Sequence, residues 1–453
     1  MSETTHDVRI WSIDKWTGKT KTTYWVRWRA ATQRFKEPFS TFNLADAFRS
    51  KLVTATRNGI AFECTTGLPV TMQQQAAAQQ TWFEFACEYV DMKWPDIAPN
   101  SRKSIADSLI PITLALLRAP LDGRDRQAAS KALRSAFSTT TRSAAHPEEI
   151  TGWLRWFGRN SRHVSELSEP DALRKLLSAL DYNHDGGRAA ANTVRLRRTT
   201  LKEALDFARE RNLLRTNPMT EIKLKKATTS LRLVDRRSVA NPVQARTLLN
   251  AVEDINDRLT AFFALLYFGA LRPEEAAEIS KRNLALPSSG WGEIYLEQAA
   301  PEVGSQWSDS RTRSEVRGLK HREDGVGRPV PCSPGLTNYL NRHLRLYGTA
   351  PDGRLFPGQR SGGRLGSSVY GRVWARARAA VFTEEVQASP LAKRPYDLRH
   401  AAVSTWLNAG VEPTRVAEWA GHSVHVLLRV YAKCLDGGET AARQRVQDLL
   451  GDR

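Results

Sequence analysis

The sequence predicts a mostly α-helical protein with small β-sheets, divided into two or three domains. The chain has 453 residues, enough to bury a core in each of several domains. Apolar residues recur at helical spacing over most of its length, and strand-like stretches occur near residue 25 and between residues 291 and 332. We therefore expect a β-rich domain at 1–72, a helical domain at 73–220, a linker at 221–240 and an α+β domain at 241–453.

Net charge narrows the range of partners. The chain has 67 lysines and arginines against 48 acidic residues, a formal net charge of +19 at pH 7. This charge favours a polyanionic partner, usually nucleic acid, although a passive basic surface or a surface for acidic lipid would also fit. The chain has no apolar run of membrane-spanning length, and its first residues lack the apolar core of a signal peptide. We therefore expect no membrane association and a cytoplasmic location.

The four cysteines are scattered, with neither a CxxC pair nor histidines at metal-ligand spacing. The sequence also contains no P-loop and no carboxylate cluster suited to a metal ion. We expect reduced thiols, no metal site and no cofactor.

The N-terminal domain is predicted from one alternating stretch. From Tyr24 to Ala30, aromatic or apolar residues alternate with basic ones, a pattern typical of a half-buried strand. A helix is expected to follow, with Asn43 as its N-cap and Gly59 closing it. Arg27 and Arg29 would then lie on a DNA-facing surface of the sheet, although a solvated basic face explains each of them equally well.

A helical region is expected from about residue 81 to residue 218. Within it, residues 191–214 combine an apolar stripe with a basic face. The predicted DNA-contacting residues of that face are Arg195, Arg197, Arg198 and Lys202. Such a helix can lay its basic side on phosphates, and a purely solvated face is the alternative.

Helix signals become clear from Asn241 onward. Asn241 and Gln244 form a capping box around a proline, and a strongly apolar helix is expected after that first helix. Pro273 then opens a third helix with two glutamates in its first turn. Arg272 is thus held at a helix–helix junction directly after a buried helix. A cation there needs an anionic partner, either a core carboxylate or a phosphate.

Five short segments in the last half of the chain each contain one residue suited to phosphodiester chemistry. They are "GALRPEEAAEIS" with Arg272, "RGLKHREDGVGRPVPC" with Lys320, "RPYDLRHAAVSTWL" with Arg399, "WAGHSVHV" with His422 and "LLRVYAKC" with Tyr431.

The five residues together suit a DNA-breaking reaction with a tyrosine nucleophile. Arg272 and Arg399 can clamp the non-bridging oxygens of a phosphate, and His422 can donate a further hydrogen bond to them. Lys320, near a predicted hairpin tip, can protonate the leaving 5′-oxygen. Tyr431 can attack phosphorus and form a 3′-phosphotyrosyl link, which stores the bond energy so that religation needs neither ATP nor a metal.

Each residue taken alone also has a structural interpretation. Tyr431 can simply pack on a helical face with Leu427, and His422 follows a helix-ending glycine, a common place for a polar residue. Arg399 can form a salt bridge with Asp397. The functional interpretation depends on the ordered set with its local context.

The segments resemble those of the tyrosine recombinase (phage integrase) family from about Asn241 to the C-terminal end. More weakly, the helical region resembles the core-binding domain of that family, and the first seventy residues resemble an arm-type DNA-binding domain. The resemblance implies roles for Arg272, Lys320, Arg399 and His422 around the nucleophile Tyr431.

The family also implies partners. Core-binding and catalytic domains would close on duplex DNA as a clamp, joined by the basic linker near Lys225 and Lys226, which we also expect to bind DNA. Four protomers would synapse two attachment sites in the bacterial cytoplasm, with the tail after Tyr431 docking on a neighbour. An excision factor and a host DNA-bending protein are accessory partners that the family allows.

One position departs from the family pattern. Three residues before the second arginine, where the family usually has histidine, this chain has Tyr396. Because a phenol is a poor base at neutral pH, we expect the surrounding cations to activate Tyr431, and Tyr396 to orient a phosphate as a hydrogen-bond donor. We expect His400 to be structural. The alternatives are a type IB topoisomerase-like enzyme, which relaxes DNA without a defined site, and a DNA-binding regulator with an inactive site.

Overall fold

The computed structural model describes residues 3–18, 22–72, 79–183, 185–223, 234–319, 325–358, 362–431 and 439–451. The chain divides into two compact units, Met1–Ala227 and Thr228–Arg453. The predicted fold class, mostly helical with small sheets, is confirmed. The finer domain boundaries stay a prediction. Within the described ranges, no helix is long and apolar enough to cross a membrane.

The first unit begins with strands and continues with helices. Its strands are β1 (Thr4–Thr5), β2 (Val8–Ile10), β3 (Asp14–Thr17), β4 (Thr22–Ala30), β5 (Gln33–Phe39) and β6 (Phe62–Glu63). Its helices are α1 (Phe42–Arg57), α2 (Trp82–Lys93), α3 (Pro99–Ala115), α4 (Gly123–Ala136), α5 (Thr139–Arg142), α6 (Glu148–Asn160), α7 (Pro170–Ala179), α8 (Ala191–Glu210) and α9 (Pro218–Glu221).

The N-terminal sheet forms around the predicted strand. Strand β4 pairs antiparallel with β2, β3 and β5, and its Val26, Trp28 and Ala30 are buried in a small apolar core. The alternating pattern therefore predicted the buried face correctly.

The predicted N-cap of the following helix was wrong. Thr41, not Asn43, caps α1, because the Thr41 hydroxyl accepts a hydrogen bond from the backbone N–H of Leu44 at 3.4 Å.

The second unit combines helices with short strands. Its strands are β7 (Leu284–Ala285), β8 (Gly292–Leu296), β9 (Gln298–Ala299), β10 (Arg317–Gly318) and β11 (Arg328–Cys332). Its helices are α10 (Pro242–Asn256), α11 (Thr260–Phe268), α12 (Pro273–Ala276), α13 (Pro334–Tyr347), α14 (Ser367–Val381), α15 (Glu384–Ala388), α16 (Asp397–Asn408), α17 (Pro413–Ala420), α18 (Val424–Tyr431) and α19 (Glu439–Leu450).

The core of the second unit is built around α11, in which all residues but the last are buried. The capping box of Asn241 and Gln244 at the start of α10 is present as predicted. Strand β8 pairs with both β7 and β11, and β10 pairs with β9. Apart from the sheet, α16, α17 and α18 pack around a second buried cluster that includes Leu427 and Tyr431.

Candidate active site

Arg272 lies at the sharp junction that the sequence predicts, between α11 and α12. Its side chain is 14% exposed, and its Nη1 donates to Glu275 Oε1 at 2.7 Å. Its Nη2 donates to the carbonyl oxygen of Gly421 at 3.2 Å, at the end of α17. Burial opposes the charge of Arg272, but the neighbouring carboxylate outweighs it and raises the pKa of the guanidinium. The anionic partner that this position needs is therefore a core carboxylate.

Glu275 holds a second buried arginine as well. Arg328 in β11 is 1% exposed and donates to Glu275 Oε2 at 2.7 Å and to the carbonyl oxygen of Trp419 at 2.5 Å. Burial alone would raise the pKa of Glu275, but Arg328, Arg272 and Arg399 lower it to about 2. Glu275 is thus an anion that organises three guanidiniums. From the sequence, Glu275 was predicted only as a glutamate in the first turn of a helix. Arg328 was predicted only as part of a strand-like stretch.

Arg399 is completely buried on α16. Its Nη1 donates to the carbonyl oxygen of Ala270, and its Nη2 donates to the carbonyl oxygen of Ala420 at 2.5 Å. Ala270 has a positive φ of 51°, which is unusual for a residue with a side chain. The predicted alternative, a salt bridge from Arg399 to Asp397, is not the contact that forms. Asp397 accepts instead from Arg394, at 3.0 Å.

His422 directly follows Gly421, whose left-handed φ of 64° ends α17 as the sequence predicts. Its Nε2 lies 2.8 Å from Nη2 of Arg399. Because an arginine can only donate, Nε2 must accept and the ring proton must sit on Nδ1. That Nδ1 is buried without a hydrogen-bond partner among the described residues. Burial, reinforced by Arg399 and Arg272, lowers the pKa of His422 to about 3. The ring is therefore neutral at physiological pH.

Tyr431 ends α18 and is 1% exposed. Its hydroxyl lies 2.8 Å from Nδ1 of His400, and its ring centroid lies 6.1 Å from that of His422. The contact with His400 was missed by the sequence prediction, which treated that residue as structural. The signal was available, since His400 directly follows Arg399, but only the packing of α18 on α16 shows where its ring points.

Tyr396 lies at the start of α16, at the edge of a pocket of about 840 Å³. Its ring packs edge-on against that of His400, with centroids 5.1 Å apart. The pocket is also lined by His400 and by the exposed cations Lys393 and Arg394. A phosphate could thus approach along a basic rim, and Tyr396 and His400 would face it.

Of the predicted catalytic residues, the structure brings together Arg272, Arg399, His422 and Tyr431, with Tyr396 alongside. Lys320 lies outside the described residues, as do Lys225 and Lys226 of the linker. No group of three or more histidine, cysteine, aspartate or glutamate side chains that could hold a metal ion occurs in the described part of the chain.

The predicted DNA-binding residues of the N-terminal sheet share one face. Arg27 lies opposite Lys36 and Arg29 opposite Arg34, so four basic side chains project from the side away from the buried core. Arg27 also pairs with Asp14, and Arg29 pairs with Asp7 at 2.8 Å. The face exists as predicted, while its binding to DNA stays a prediction.

The basic face of α8 requires one correction. Arg195 and Lys202 are exposed, and Arg198 pairs with Asp181 at 2.7 Å. Arg197, however, is 7% exposed and points into the unit. Its Nη1 donates to the carbonyl oxygens of Leu180 at 2.9 Å and Tyr182 at 2.8 Å. Arg197 therefore ties down the chain before α8 and does not belong to the exposed face.

No protein-family model matches the chain. The putative integrase/recombinase y4rC of Sinorhizobium fredii (strain NBRC 101917 / NGR234) is 28% identical over 242 residues, which cover 44% of this chain and 71% of that protein.

Two solved structures are also similar. The Tn1549 transposon integrase in complex with a circular intermediate DNA is 16% identical, with a TM-score of 0.49, and the match covers 71% of this chain and 98% of that one. A lambda integrase dimer bound to a COC′ core site is 14% identical, with a TM-score of 0.48, and the match covers 90% of this chain and 91% of that one. Neither structural likeness identifies the family by itself. The ordered motifs of the chain resemble those of the tyrosine recombinase (phage integrase) family, and its relationship to a putative integrase/recombinase supports the same family.

Proposed function

We propose that this protein is a site-specific DNA recombinase that cuts and rejoins DNA through a 3′-phosphotyrosyl intermediate, integrating or excising a mobile element. The observation that carries the proposal is the convergence of Arg272, Arg399 and His422 beside Tyr431, from separate parts of the sequence. The similarity to a protein described as a putative integrase/recombinase supports the same function.

The two arginines suit the charge that develops in the reaction. Attack on a phosphodiester builds negative charge on the non-bridging oxygens, and guanidiniums are permanently charged donors. In the DNA-free protein, Arg399 donates to backbone carbonyls, and Arg272 donates to Glu275 and to the carbonyl of Gly421. A phosphate oxygen forms stronger, charge-assisted hydrogen bonds than a carbonyl, so it would compete well for these donors.

His422 would lie next to the same non-bridging phosphate oxygens. In the DNA-free protein its Nε2 accepts from Arg399 at 2.8 Å. A phosphate oxygen entering between the two side chains would take over the arginine donor. His422 would then donate to that oxygen from Nε2, with its proton moved from Nδ1. The neutral ring can make this exchange without a change of charge.

Tyr431 would be the nucleophile and Lys320 the general acid. The tyrosine oxygen attacks phosphorus, the bond to the 5′-oxygen breaks, and the lysine protonates the leaving oxygen. Tyr396 would donate a hydrogen bond to the phosphate from the rim of the pocket. A Tyr396→Phe variant that lost as much activity as Arg399→Ala would contradict this minor role.

The proposed partners follow from this activity. They are duplex attachment sites, three further copies of the chain in a tetramer that exchanges strands, and an excision factor or a host DNA-bending protein as accessories. The basic residues proposed to hold DNA in the first unit are Arg27, Arg29, Arg195, Arg198 and Lys202, followed by Lys225 and Lys226 in the linker. Such a protein would work in the bacterial cytoplasm, where the DNA lies.

A covalent trap tests the proposal. Wild-type protein, Tyr431→Phe and the matched control Tyr396→Phe would each be incubated with sheared host DNA and denatured in SDS. The fragments that stay attached would then be sequenced. We expect adducts with wild type and with Tyr396→Phe, none with Tyr431→Phe, and enrichment of one short inverted repeat.

The other outcomes separate the alternatives. Adducts without sequence preference would indicate a topoisomerase-like enzyme. Tight DNA binding without any adduct would indicate a regulator with an inactive site. Equal adducts from Tyr431→Phe would show that another residue is the nucleophile.

A further inference from the structure

The hydroxyl of Tyr431 has a histidine in hydrogen-bond contact that the family motifs do not assign. His400 Nδ1 lies 2.8 Å from the tyrosine oxygen, and the two ring centroids are 5.6 Å apart. The two residues come from α16 and α18, which pack in one buried cluster. Tyr396, three residues before Arg399, is a phenol that is protonated at neutral pH and cannot take up the tyrosine proton.

We propose that His400 is a catalytic residue that accepts the proton of the Tyr431 hydroxyl as the tyrosine attacks phosphorus. This inference rests on the proposed recombinase function. In the resting state the phenol donates to Nδ1, and the ring carries its own proton on Nε2. This tautomer leaves the Nδ1 lone pair aimed at the reacting oxygen, at a distance suited to general base catalysis.

The cleavage step then balances. The O–H bond of Tyr431 breaks as its oxygen bonds to phosphorus, and the proton moves to His400 Nδ1. The bond from phosphorus to the 5′-oxygen breaks, and the leaving oxygen takes a proton from Lys320. In religation the 5′-hydroxyl gives its proton back to Lys320 as its oxygen bonds to phosphorus. The bond from phosphorus to the tyrosine oxygen breaks, and His400 returns its proton to that oxygen. No oxidant, metal or nucleotide is needed.

Tyr396 is a poorer candidate for this base. A phenol has an ordinary pKa of about 10 and is protonated at neutral pH, so it can donate but not accept a proton. The Tyr396 ring packs edge-on against His400, with centroids 5.1 Å apart. Tyr396 can therefore hold the His400 ring in place on the side of the pocket.

The surroundings of His400 keep it neutral before attack. Burial lowers the pKa of His400 to about 4, opposed by Asp397 and reinforced by Arg399. The titratable or charged groups that face it or line its pocket are Asp397 and Arg399 on α16, Arg394, Lys393 and Tyr396 before that helix, His422 after α17, Tyr431 on α18, and Asp235 across the pocket. A neutral imidazole keeps an unprotonated ring nitrogen that can take up a proton throughout the physiological pH range.

The test measures the rate of adduct formation on a duplex oligonucleotide that carries the inverted repeat recovered in the covalent trap. His400→Asn keeps an oxygen that can accept a hydrogen bond but cannot take up the proton, and His400→Phe keeps only the ring volume. General base catalysis typically contributes about 10²–10⁴-fold, so both variants should lose at least about 10²-fold at pH 7. Their rates should rise with pH towards pH 10, as the phenol ionises by itself, whereas the wild-type rate should vary little.

Controls separate this role from folding and from DNA binding. His425→Asn changes an exposed histidine on the same helix as Tyr431 and should leave the rate unchanged. Thermal unfolding and gel-shift affinity of the His400 variants should match wild type. If His400→Asn reacts at the wild-type rate at every pH, His400 is only a hydrogen-bond acceptor that positions the phenol, and the inference is wrong.

A substrate with sulfur in place of the bridging 5′-oxygen distinguishes the base from the acid. A thiolate leaves without protonation because its conjugate acid has a pKa of about 8.5. The sulfur substrate should therefore restore cleavage by Lys320→Ala but not by His400→Asn. Rescue of His400→Asn would assign His400 to the leaving group and overturn the proposal.

A measurement on the wild-type protein does not depend on any variant folding. In ¹⁵N-histidine NMR, His400 should show an unprotonated Nδ1 and a protonated Nε2 at pH 7. A protonated Nδ1 would mean that the histidine donates to Tyr431, which contradicts the proposal. If wild type forms no adduct at all, the recombinase function itself fails. If wild type forms the adduct and the His400 variants form it at the same rate, only the role of His400 as general base is rejected.

Discussion

Replacement of Glu275 by glutamine should destabilise the second unit strongly, because Glu275 is the carboxylate shared by three arginines. It is 1% exposed, with Arg272 and Arg328 each at 2.7 Å and Arg399 at 4.0 Å. Its pKa lies at about 2, against an ordinary 4.5. Since one pKa unit is worth about 1.4 kcal/mol, this shift makes folding about 3 kcal/mol more favourable with the carboxylate ionised than with it protonated.

The free energy of unfolding should fall by at least this amount in Glu275→Gln. Removing one partner of a buried ion pair typically costs about 3–5 kcal/mol, because the other charge stays buried and uncompensated. For a unit of this size that corresponds to a Tm lower by roughly 6–20 °C. Differential scanning calorimetry on the full chain measures the shift. Hydrogen exchange in peptides of α11 assigns the transition to the second unit.

Glu278→Gln is the matched control. Glu278 pairs with Arg364 at 2.8 Å in an ion pair that is more exposed than that of Glu275, since 32% of the Arg364 side chain and 13% of the Glu278 side chain are exposed. Such a pair should contribute only about 1 kcal/mol. If the two variants lower Tm equally, Glu275 does not act as a buried counter-ion for the arginines, and the reasoning above fails.

The pH dependence of stability gives an independent check that ionised Glu275 stabilises the fold. The pKa of Glu275 is lower in the folded chain than in the unfolded one, so its contribution is fully present above about pH 4.5. It is lost as pH falls from 4.5 towards 2, where the folded carboxylate takes up a proton. The stability difference between wild type and Glu275→Gln should therefore narrow over that range. A constant difference would mean that the effect of the substitution is not electrostatic.

Three further results are expected. Gly421→Ala should lower the cleavage rate and cost about 1–2 kcal/mol, because φ is 64° and a Cβ would lie 3.0 Å from Nε of Arg328; unchanged cleavage and Tm would contradict this. Arg197→Met should lower Tm by removing hydrogen bonds to buried carbonyls, whereas Arg195→Met should weaken DNA binding in a gel shift without changing Tm. His422 should stay neutral down to about pH 5 in ¹⁵N NMR of the DNA-free protein, since burial and nearby arginines lower its pKa to about 3; an imidazolium signal at pH 6 would refute the burial argument.

Local signals in the sequence predicted the elements that carry the site. The capping box at Asn241, Pro273 after a buried helix and Gly421 before His422 each depend on a few neighbouring residues, and each appears as predicted. The N-cap of α1 was wrong because Thr41 and Asn43 are both good caps, and local sequence does not choose between them.

The sequence by itself determined the fold class and the order of the motifs, because motif spacing and hydrophobic periodicity are local properties of the chain. Only the tertiary structure decided which side chains touch. It directed Arg197 into the unit, although Arg195 and Lys202 on the same helix are exposed, and it placed Glu275 among arginines from three elements. It also brought His400 to the hydroxyl of Tyr431. These contacts join residues 31 or more positions apart or depend on which face of a helix is buried, so they arise only when the helices pack.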